Sequence, residues 1–305
     1  MEQIGVANAP CSWGCLEFEG MGLPTIGYQQ MLDELVETGY TATELGDWGY
    51  FPTDPGRLRD ELATRHVEML GAFVPIAFAD SSALECGIEN ALRTARLLAA
   101  VATETKPHLI LADDNGTHPM RTACAGRIRP DQGLSPAQWQ VYAANVQHVT
   151  DAVADQTGIA SLFHHHCAGW VETPDEIARL LDLVPPELLG LVFDTGHYAF
   201  ASQDYDLAQG LETFGDRIRY VHLKDCDSTI ADRSRQEHQG YFWALERGLF
   251  SELGSGSVNL PGMVSWLRKR GHDGYVTVEQ DLLPGMGTPK QSALRNRNYL
   301  RHLGL

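Results

Sequence analysis

The feature that most constrains the fold of this chain is an alternation, repeated eight times, between a short apolar segment and a segment with helical periodicity. The apolar segments are typical of buried strands and lie at 4–8, 41–45, 67–74, 108–112, 159–164, 190–194, 217–223 and 274–279. Strands that alternate with helices form a parallel sheet with right-handed crossovers. Eight such units in 305 residues predict an α/β protein, a closed (β/α)8 TIM barrel that occupies residues 1–305 as a single domain.

The segments between the predicted strands carry recognisable helix boundaries. The apolar positions Met31, Leu32, Leu35 and Val36 have helical spacing before Gly39, and further helices are expected near 55–65, 82–101, 135–158, 174–183, 205–213, 260–270 and 288–302. Ser135 and Pro136 suit the start of one helix, and Gly158 suits a left-handed cap at its end. A doubly wound open sheet is the alternative. It usually has a glycine-rich turn after the first strand, where this chain reads APCSWG.

One connection is longer than the barrel pattern requires. Residues 225–259 separate the seventh predicted strand from its helix and include the sequence QGYFWALERGLFSELGSGSVN. Insertions at the active-site face often form lids or binding loops. The alternative is a helical elaboration that packs its aromatic residues on the barrel or forms a subunit contact. The run GSGS at 254–257 is compatible with phosphate binding, although it lacks the Gly-Lys-Ser/Thr of a P-loop.

The composition excludes several classes of partner. The formal net charge is -17, the sequence pI is near 5.0, and no basic stripe offsets this charge, so nucleic acid is not expected to bind. No run of about 18 apolar residues and no signal peptide occurs, which predicts a soluble cytoplasmic protein without membrane contact. The six cysteines form no CxxC pair and read as free thiols. A homo-oligomer is compatible with these features.

Four consecutive predicted strands end on side chains that bind metals. The sequences FHHH, FDTGH, VHLKD and VEQD bring to one edge of the sheet His164 or His166, Asp194, His222 and Glu279. Each residue alone has a structural alternative as a helix cap, a core histidine or an ion-pair partner. Together they predict a shared divalent metal, because a mixed carboxylate and imidazole set suits Mn, Co, Fe, Mg or Zn with open positions for substrate oxygens.

The histidine run leaves two assignments open. Side chains alternate along a strand, so His164 and His166 share one face while His165 points toward the helix layer. We therefore expect a structural role for His165. The pattern favours His164 as the metal ligand and His166 as an acid or base, and the reverse assignment is the alternative. Lys224 follows His222 by two residues and can face the same side, with a surface ion pair as its alternative.

Several motifs resemble a known family. TGYTATELGDWGYFP, FHHHCAGWVET, FDTGHYAF, VHLKD, ALERGLFSELGSGSVNLPG and GYVTVEQD together resemble the sugar phosphate isomerase/epimerase superfamily of xylose-isomerase-like barrels. Within that superfamily they are most similar to the inosose (2-keto-myo-inositol) dehydratase branch. The resemblance extends from the second predicted strand to the terminal helix and implies a role in carbohydrate metabolism, such as inositol catabolism.

The resemblance implies a divalent cation, usually manganese or cobalt, bound by His164, Asp194, His222 and Glu279. Epimerases of the superfamily have Glu where this chain has His164, with one carboxylate on each face of the substrate carbon. They also carry an Arg shortly after the strand-seven histidine, where this chain has Lys224. A less symmetric site fits elimination at least as well as epimerisation, so the resemblance favours a lyase.

A mechanism follows as a hypothesis. The substrate is a polyhydroxylated ketone or sugar that loses a proton beside its carbonyl to give an enediolate, and then loses the β-hydroxyl as water. His166 or Glu279 takes the proton, because a group with a pKa near the working pH is an efficient base. Protonated Lys224, or His197, assists departure of the hydroxyl.

Four further residues are candidates for substrate binding. Glu44 ends the second predicted strand and Glu172 follows the fifth, so either carboxylate is placed to bind substrate hydroxyls, with a salt bridge or helix cap as the alternative. Trp13 and Trp48 follow the first and second strands and can stack on the face of a sugar-like ring, with core or rim packing as the alternative.

Three other functions compete with the dehydratase. An isomerase or epimerase of a ketose would use the same metal and enediolate. An endonuclease acting at abasic sites shares the barrel, but a basic groove is expected of it. A subunit of a complex that cleaves oxidised sugar conjugates would show a large apolar patch around 238–253.

Overall fold

The computed structural model describes residues 4–14, 26–103, 105–282 and 285–305. In this part of the chain nine strand segments form one parallel sheet: β1 (Gly5–Asn8), β2 (Ala42–Thr43), β3 (Glu68–Met69), β4 (Gly71–Pro75), β5 (His108–Ala112), β6 (Ala160–His164), β7 (Leu189–Asp194), β8 (Ile218–Leu223) and β9 (Tyr275–Val278). The α-helices are α1 (Tyr28–Thr38), α2 (Pro55–Arg65), α3 (Leu84–Val101), α4 (Pro119–Cys124), α5 (Pro136–Thr157), α6 (Pro174–Leu183), α7 (Thr195–Ser202), α8 (Ala208–Phe214), α9 (Ser228–Gln236), α10 (Tyr241–Leu245), α11 (Leu260–Lys269) and α12 (Pro289–His302).

The sheet closes on itself across Leu70. Its strand order is β3-β2-β1-β9-β8-β7-β6-β5-β4, so the two ends of the order are adjacent in sequence. The Leu70 N–H donates to the Thr43 carbonyl at 2.9 Å, and the Leu70 carbonyl accepts from the His108 N–H at 2.9 Å. The predicted third strand is therefore one chain segment divided into β3 and β4, and the predicted (β/α)8 barrel is confirmed.

Inside the barrel, apolar side chains form a layer to which nearly every strand contributes one residue. Its members are Ala7, Ala42, Leu70, Ile110, Leu162, Val192 and Tyr220, with Phe73 and Tyr275 packed against them. A second and larger cluster joins the outer faces of the strands to the helices. Because side chains alternate along a strand, positions 164, 194 and 222 lie on the same face as this layer, one step nearer the carboxyl ends.

Most predicted helices begin and end at or close to the capping residues identified in the sequence. Ser135 and Gln138 form a capping box at the start of α5, and Gly158 adopts φ 70° at its end. Gly39 ends α1 with φ 94°. Val36, which shares the apolar spacing of α1, is 41% exposed and does not join the core.

Four helices were not predicted from the sequence: α4, α7, α9 and α10. Two of them, α9 and α10, lie in the 225–259 connection, which is a helical elaboration that packs on α4. Among the described residues the exposed large hydrophobic side chains are scattered, and none falls within 238–253. No described helix has the length and apolar character needed to cross a membrane.

Candidate metal centre and active site

The four predicted ligands meet at the carboxyl ends of β6 to β9. Asp194 and His222 are paired in the β7–β8 register, and Glu279 directly follows β9. One ligand atom from each of His164, Asp194, His222 and Glu279 lies within 4.8 Å of the other three. This spacing is compatible with a single ion between them, and the set lies above the apolar layer of the barrel with His164, Asp194 and His222 buried and Glu279 half-buried.

The two carboxylate oxygens of Asp194 have different roles: one caps a helix and the other faces the cluster. Its Oδ1 accepts the N–H of His197 at 2.7 Å and caps α7, which fixes the carboxylate at the end of β7. Its Oδ2 is buried without a hydrogen-bond partner and lies 3.7 Å from Nε2 of His164 and 3.9 Å from Nδ1 of His222. A buried carboxylate oxygen without a donor is costly, and a cation at this point would satisfy it.

His222 also uses its two ring nitrogens differently. Its Nε2 lies 2.9 Å from Glu44 Oε1, while Nδ1 faces Glu279 Oε1 at 3.1 Å and has no hydrogen-bond partner. Tyr220 donates to the same Glu44 oxygen at 3.1 Å. Carboxylates of this kind hold metal-binding histidines in one tautomer and orientation. The donor set therefore fits a divalent cation bound through Nδ1.

Charges within the site shift two of these groups in opposite directions. Burial opposes charge on Asp194, but Lys224 and His164 outweigh it and hold the pKa of this carboxyl below its usual range. Burial would lower the pKa of His222, but Glu279 and Glu44 raise it to about 9. In the protein without an ion, His222 therefore carries the positive charge that the carboxylates require.

The histidine run occupies three different environments. His164 belongs to the four-residue cluster, whereas His166 lies outside it. The His166 Nδ1 lies 2.7 Å from the Cys167 carbonyl, an arrangement in which Nδ1–H donates and Nε2 keeps its lone pair. Burial, His164 and Lys224 lower the pKa of His166 well below its usual range. His165 Nε2 accepts the N–H of Asp194 at 3.3 Å, a structural contact that matches its expected role.

Lys224 lies beside the cluster in a buried ion-pair network. Its Nζ is 3.1 Å from Glu279 Oε2, 3.7 Å from Asp281 Oδ1 and 3.4 Å from His197 Nε2. Burial alone would lower the pKa of Lys224, but Asp281 and Glu279 raise it well above its usual range. The rings of His197 and His166 lie 3.7 Å apart. Burial also lowers the pKa of His197 well below its usual range, so a protonated amine and two neutral imidazoles adjoin the four-residue cluster.

Aromatic residues of the 225–259 segment cover these groups. The ring of Phe250 lies 4.8 Å from Lys224 Nζ and 4.7 Å from the ring of His197. The ring of Tyr241 lies 6.0 Å from that of His166. Both aromatic side chains are fully buried. The segment thus forms a packed wall beside the site. It combines features of both alternatives considered for 225–259, because it is a helical elaboration and it also lines the site.

The remaining predicted site residues have contacts inside the protein. Trp13 is fully buried, and its Nε1 donates to Glu34 at 3.0 Å, which corresponds to core packing. Trp48 is 39% exposed and lies under the guanidinium of Arg93 at 4.7 Å. Glu44 contacts His222, as described above. For Trp13 and Trp48, stacking on a substrate stays a prediction.

Glu172 connects two loops beside the site. Its Oε1 accepts the N–H of Gly126 at 2.6 Å, and its Oε2 accepts the N–H of Ala168 at 2.8 Å. Ala168 adopts φ 65°, so the carboxylate stabilises an unusual backbone conformation two residues after His166. These contacts favour the structural alternative for Glu172, and its contact with substrate stays a prediction.

Two carboxylates of the site were not predicted, although each neighbours a predicted site residue in sequence. Asp281 lies two positions after Glu279 and so reaches the same side, where it pairs with Lys224. Asp225 follows Lys224 and accepts hydrogen bonds from the GSGS run. The thiols of Cys167 and Cys226 are buried, and burial raises the pKa of both, which disfavours the thiolate form that binds metals.

The chain is similar in sequence to known enzymes over its whole length. An inosose dehydratase of Geobacillus kaustophilus is 29% identical over 301 residues, which cover 99% of this chain and 94% of the relative. An inosose dehydratase of Lacticaseibacillus casei is 26% identical over 298 residues, which cover 97% of this chain and 96% of the relative.

Solved structures and a family profile agree with this similarity. The probable 3-DHS dehydratase of Bacillus anthracis superimposes with a TM-score of 0.69 at 16% identity, covering 98% of this chain and 99% of the other. The 3-keto-D-glucoside 4-epimerase of E. coli gives 0.66 at 16% identity, covering 99% of each chain. At such low identity these structures show a shared fold alone. The profile of the xylose isomerase-like TIM barrels matches residues 32–302, and with nine-tenths of its length inside that match this chain is a member of that family.

Proposed function

We propose that this protein is a divalent-metal-dependent dehydratase, a lyase that acts on an uncharged cyclic polyhydroxy ketone of the inosose type. One observation carries the proposal: a His/Asp/His/Glu set, with its first three members buried, adjoins the amine of Lys224 and the imidazole rings of His166 and His197. Elimination of water requires both a base and an acid, and this arrangement offers both. The full-length similarity to inosose dehydratases supports the choice of substrate.

The ion would be held by His164, Asp194, His222 and Glu279, with Mn or Co as the first candidates. When bound, it supplies Lewis acidity that polarises the substrate carbonyl and acidifies the neighbouring C–H. The orphaned Asp194 Oδ2 and His222 Nδ1 are the atoms whose burial such an ion would compensate.

His166 is the proposed base that removes the proton beside the carbonyl. Burial keeps its imidazole neutral, and the contact of Nδ1 with the Cys167 carbonyl leaves the lone pair on Nε2. Glu279 is the alternative base, but it is itself a proposed ligand of the ion, and its Oε2 faces Lys224 Nζ at 3.1 Å. His166 therefore fits proton abstraction better than Glu279 does.

Lys224 is the proposed acid that protonates the departing β-hydroxyl. Its Nζ lies 3.4 Å from His197 Nε2, and because His197 Nδ1 accepts the N–H of Cys167, the neutral ring carries its proton on Nε2 and can return a proton to the amine once Lys224 has given up its own. Asp281 and Glu279 keep Lys224 charged before the reaction. The wall formed by Phe250 and Tyr241 limits the access of water to these groups.

The charge balance of the site supports an uncharged substrate. Lys224 is matched by Glu279 and Asp281, so its charge is not available to a substrate phosphate or carboxylate. The nearby Arg121 is paired with Glu176, and Arg127 donates to backbone carbonyls. A phosphorylated or carboxylated sugar would therefore find these three cationic side chains already engaged, and only the proposed ion would be left to offset its charge.

Incubation of the Mn- or Co-loaded protein with 2-keto-myo-inositol tests the proposal. We expect growth of the ultraviolet absorbance of an enolised dione, and Asp194→Asn should abolish it together with metal binding. Turnover of a ketose with no reaction of 2-keto-myo-inositol would overturn the proposal. In D₂O, deuterium entering the substrate without loss of water would identify an epimerase instead.

A further inference from the structure

We propose that Asp225 is a positioning residue that fixes residues 249–258 as a wall beside Lys224, with its carboxylate serving as the internal anion of the glycine-rich run 254–257. The role of the wall in catalysis depends on the proposed function of Lys224. The structural assignment is independent of it, because it follows from contacts of Asp225 with the backbone.

The Asp225 carboxylate accepts four backbone N–H groups. Its Oδ1 accepts from Cys226 at 2.8 Å and from Val258 at 3.0 Å. Its Oδ2 accepts from Gly254 at 2.8 Å and from Gly256 at 3.1 Å. The residue is buried, so these bonds form away from water. Successive N–H groups that converge on one anion are the arrangement by which glycine-rich loops bind phosphate. Here the chain supplies the anion itself.

The two glycines of the run are required by this arrangement. A Cβ on Gly256 would lie 2.3 Å from Asp225 Oδ1, so only glycine allows the backbone to approach the carboxylate. Gly254 adopts φ 83°, and a Cβ there would lie 2.3 Å from the ring of Tyr299. The GSGS pattern, which from sequence alone is compatible with phosphate binding, is thus explained by contact with Asp225.

Other hydrogen bonds hold the first residues of the segment 249–258. The Leu249 carbonyl accepts the N–H of Asp227 at 2.8 Å. The Phe250 carbonyl accepts Nε2 of Gln280 at 3.1 Å. The ring of Phe250 then lies over Lys224 Nζ and against His197. The segment that carries Phe250 is therefore held at 249–250 by Asp227 and Gln280 and at 254–258 by Asp225, so Asp225 acts on the ring through the residues between them.

Substitution of Asp225 tests this inference, with Asp227 as a matched control. Asp225→Asn replaces an acceptor oxygen with an NH₂ group that faces two N–H donors, so we expect kcat to fall on the order of 10²-fold, since small misplacements near reacting groups cost this much. KM should change less, because the metal ligands are untouched. Asp227→Ala makes the same change in charge and removes only the side-chain cap of α9, and it should keep the wild-type kcat.

Coupling with Phe250 separates positioning from a general loss of structure. In a Phe250→Leu background, Asp225→Asn should cost much less in kcat than it does alone, because the ring that it positions is already absent. Equal losses in both backgrounds would overturn the inference, as would a kcat for Asp225→Asn within about twofold of wild type.

Chemical rescue provides a readout that needs no substrate. Asp225→Ala leaves the four N–H groups around a space that formate can enter, so formate should raise its Tm, with chloride at equal ionic strength as the reference. Wild type and Asp227→Ala should show no such response to formate. If Asp225→Ala does not respond either, the internal-anion assignment is wrong. If formate raises Tm but wild type does not turn over 2-keto-myo-inositol, the proposed function fails while the assignment stands.

Discussion

At the residue scale, His222 contacts two carboxylates that have different roles. Glu44 faces Nε2 and Glu279 faces Nδ1, so the tautomer that donates to Glu44 presents a lone pair to the proposed ion. Tyr220 holds Glu44 from the other side. Glu44 is thus placed as a partner of His222, a proposed metal ligand, and its contact with substrate hydroxyls stays a prediction.

Glu44→Gln should weaken Mn binding about tenfold, the lower end of the effect usual for such partners. The amide keeps an acceptor oxygen but loses the charge that orients His222. Isothermal titration with Mn²⁺ measures the change. Tyr220→Phe is the matched control, because it removes a neutral hydrogen bond to the same Glu44 oxygen and should have the smaller effect. Equal affinities of Glu44→Gln and wild type would contradict this role.

Glu172 gives the protein a pH-dependent stability. Burial raises the pKa of Glu172 from 4.5 to about 7, although Arg121 and two backbone N–H groups oppose this change. Between these two values the folded protein binds a proton that the unfolded chain releases, so the contribution is fully present below pH 4.5 and is lost as the pH rises through 7. The loss is on the order of 3 kcal/mol in the free energy of unfolding.

Urea unfolding of wild type and Glu172→Gln across this pH range measures the contribution. The wild-type free energy of unfolding should decline more steeply than that of the variant, whose amide does not titrate. Curves that stay parallel from pH 4.5 to 7.5 would show that Glu172 titrates normally.

At the scale of elements, a buried ion pair joins α4 to α6. Arg121 is fully buried and makes a bidentate pair with Glu176, with two contacts of 2.8 Å, and its Nε donates to the Gly169 carbonyl at 2.7 Å. Glu176 also completes the capping box of α6. The loop after β5 is thereby fixed to the loop that follows the histidine run.

Arg121→Met should lower the free energy of unfolding by about 3–5 kcal/mol, because it leaves the Glu176 carboxylate buried without its partner. The double variant with Glu176→Gln should recover part of this loss. Arg129→Met is the control, since Arg129 forms an exposed pair with Asp131 and should change stability by less than about 1 kcal/mol. Similar losses in urea unfolding for Arg121→Met and Arg129→Met would refute the buried-pair argument.

The elements also show what the sequence allowed us to predict. Amphipathic helices with clear caps, such as α5 and α6, were found with nearly correct bounds. Helix α7 was missed because residues 195–200 are all buried, so its sequence shows no polar face. The candidate ligands at the ends of β6 to β9 could be predicted, because side chains alternate along a strand and those at the carboxyl ends share one edge of the sheet. The Glu44–His222 contact could not, since it joins residues 178 positions apart across the barrel and periodicity gives a face but not a partner.

At the scale of the whole molecule, binding of the proposed ion at the strand ends should stabilise the folded barrel. Four ligands on consecutive strands meet only in the folded barrel, so an ion binds the folded state alone. The net charge of -17 adds a general attraction for cations and a repulsion that an ion relieves. Folding and ion binding should therefore be coupled.

Removal of divalent ions with EDTA should lower Tm, and added Mn²⁺ should restore it. At a free concentration of about 100 times Kd, the ion contributes about 2.7 kcal/mol to stability. Differential scanning calorimetry over a Mn²⁺ series measures this. Asp194→Asn keeps the Oδ1 that caps α7 but loses the carboxylate, so its Tm should not respond to Mn²⁺. A Mn²⁺-dependent Tm in that variant would refute the ligand assignment.

The anchoring of residues 249–258 by Asp225 and Gln280 has a consequence for engineering. Both anchors lie within three residues of a proposed ligand, His222 or Glu279, on strand ends outside the segment that they hold. A chimera that exchanges only 239–259 with a relative would separate the wall from its anchors. New substrate ranges in this barrel should therefore be transferable only when the HLKD and VEQD strand ends are grafted together with the insertion.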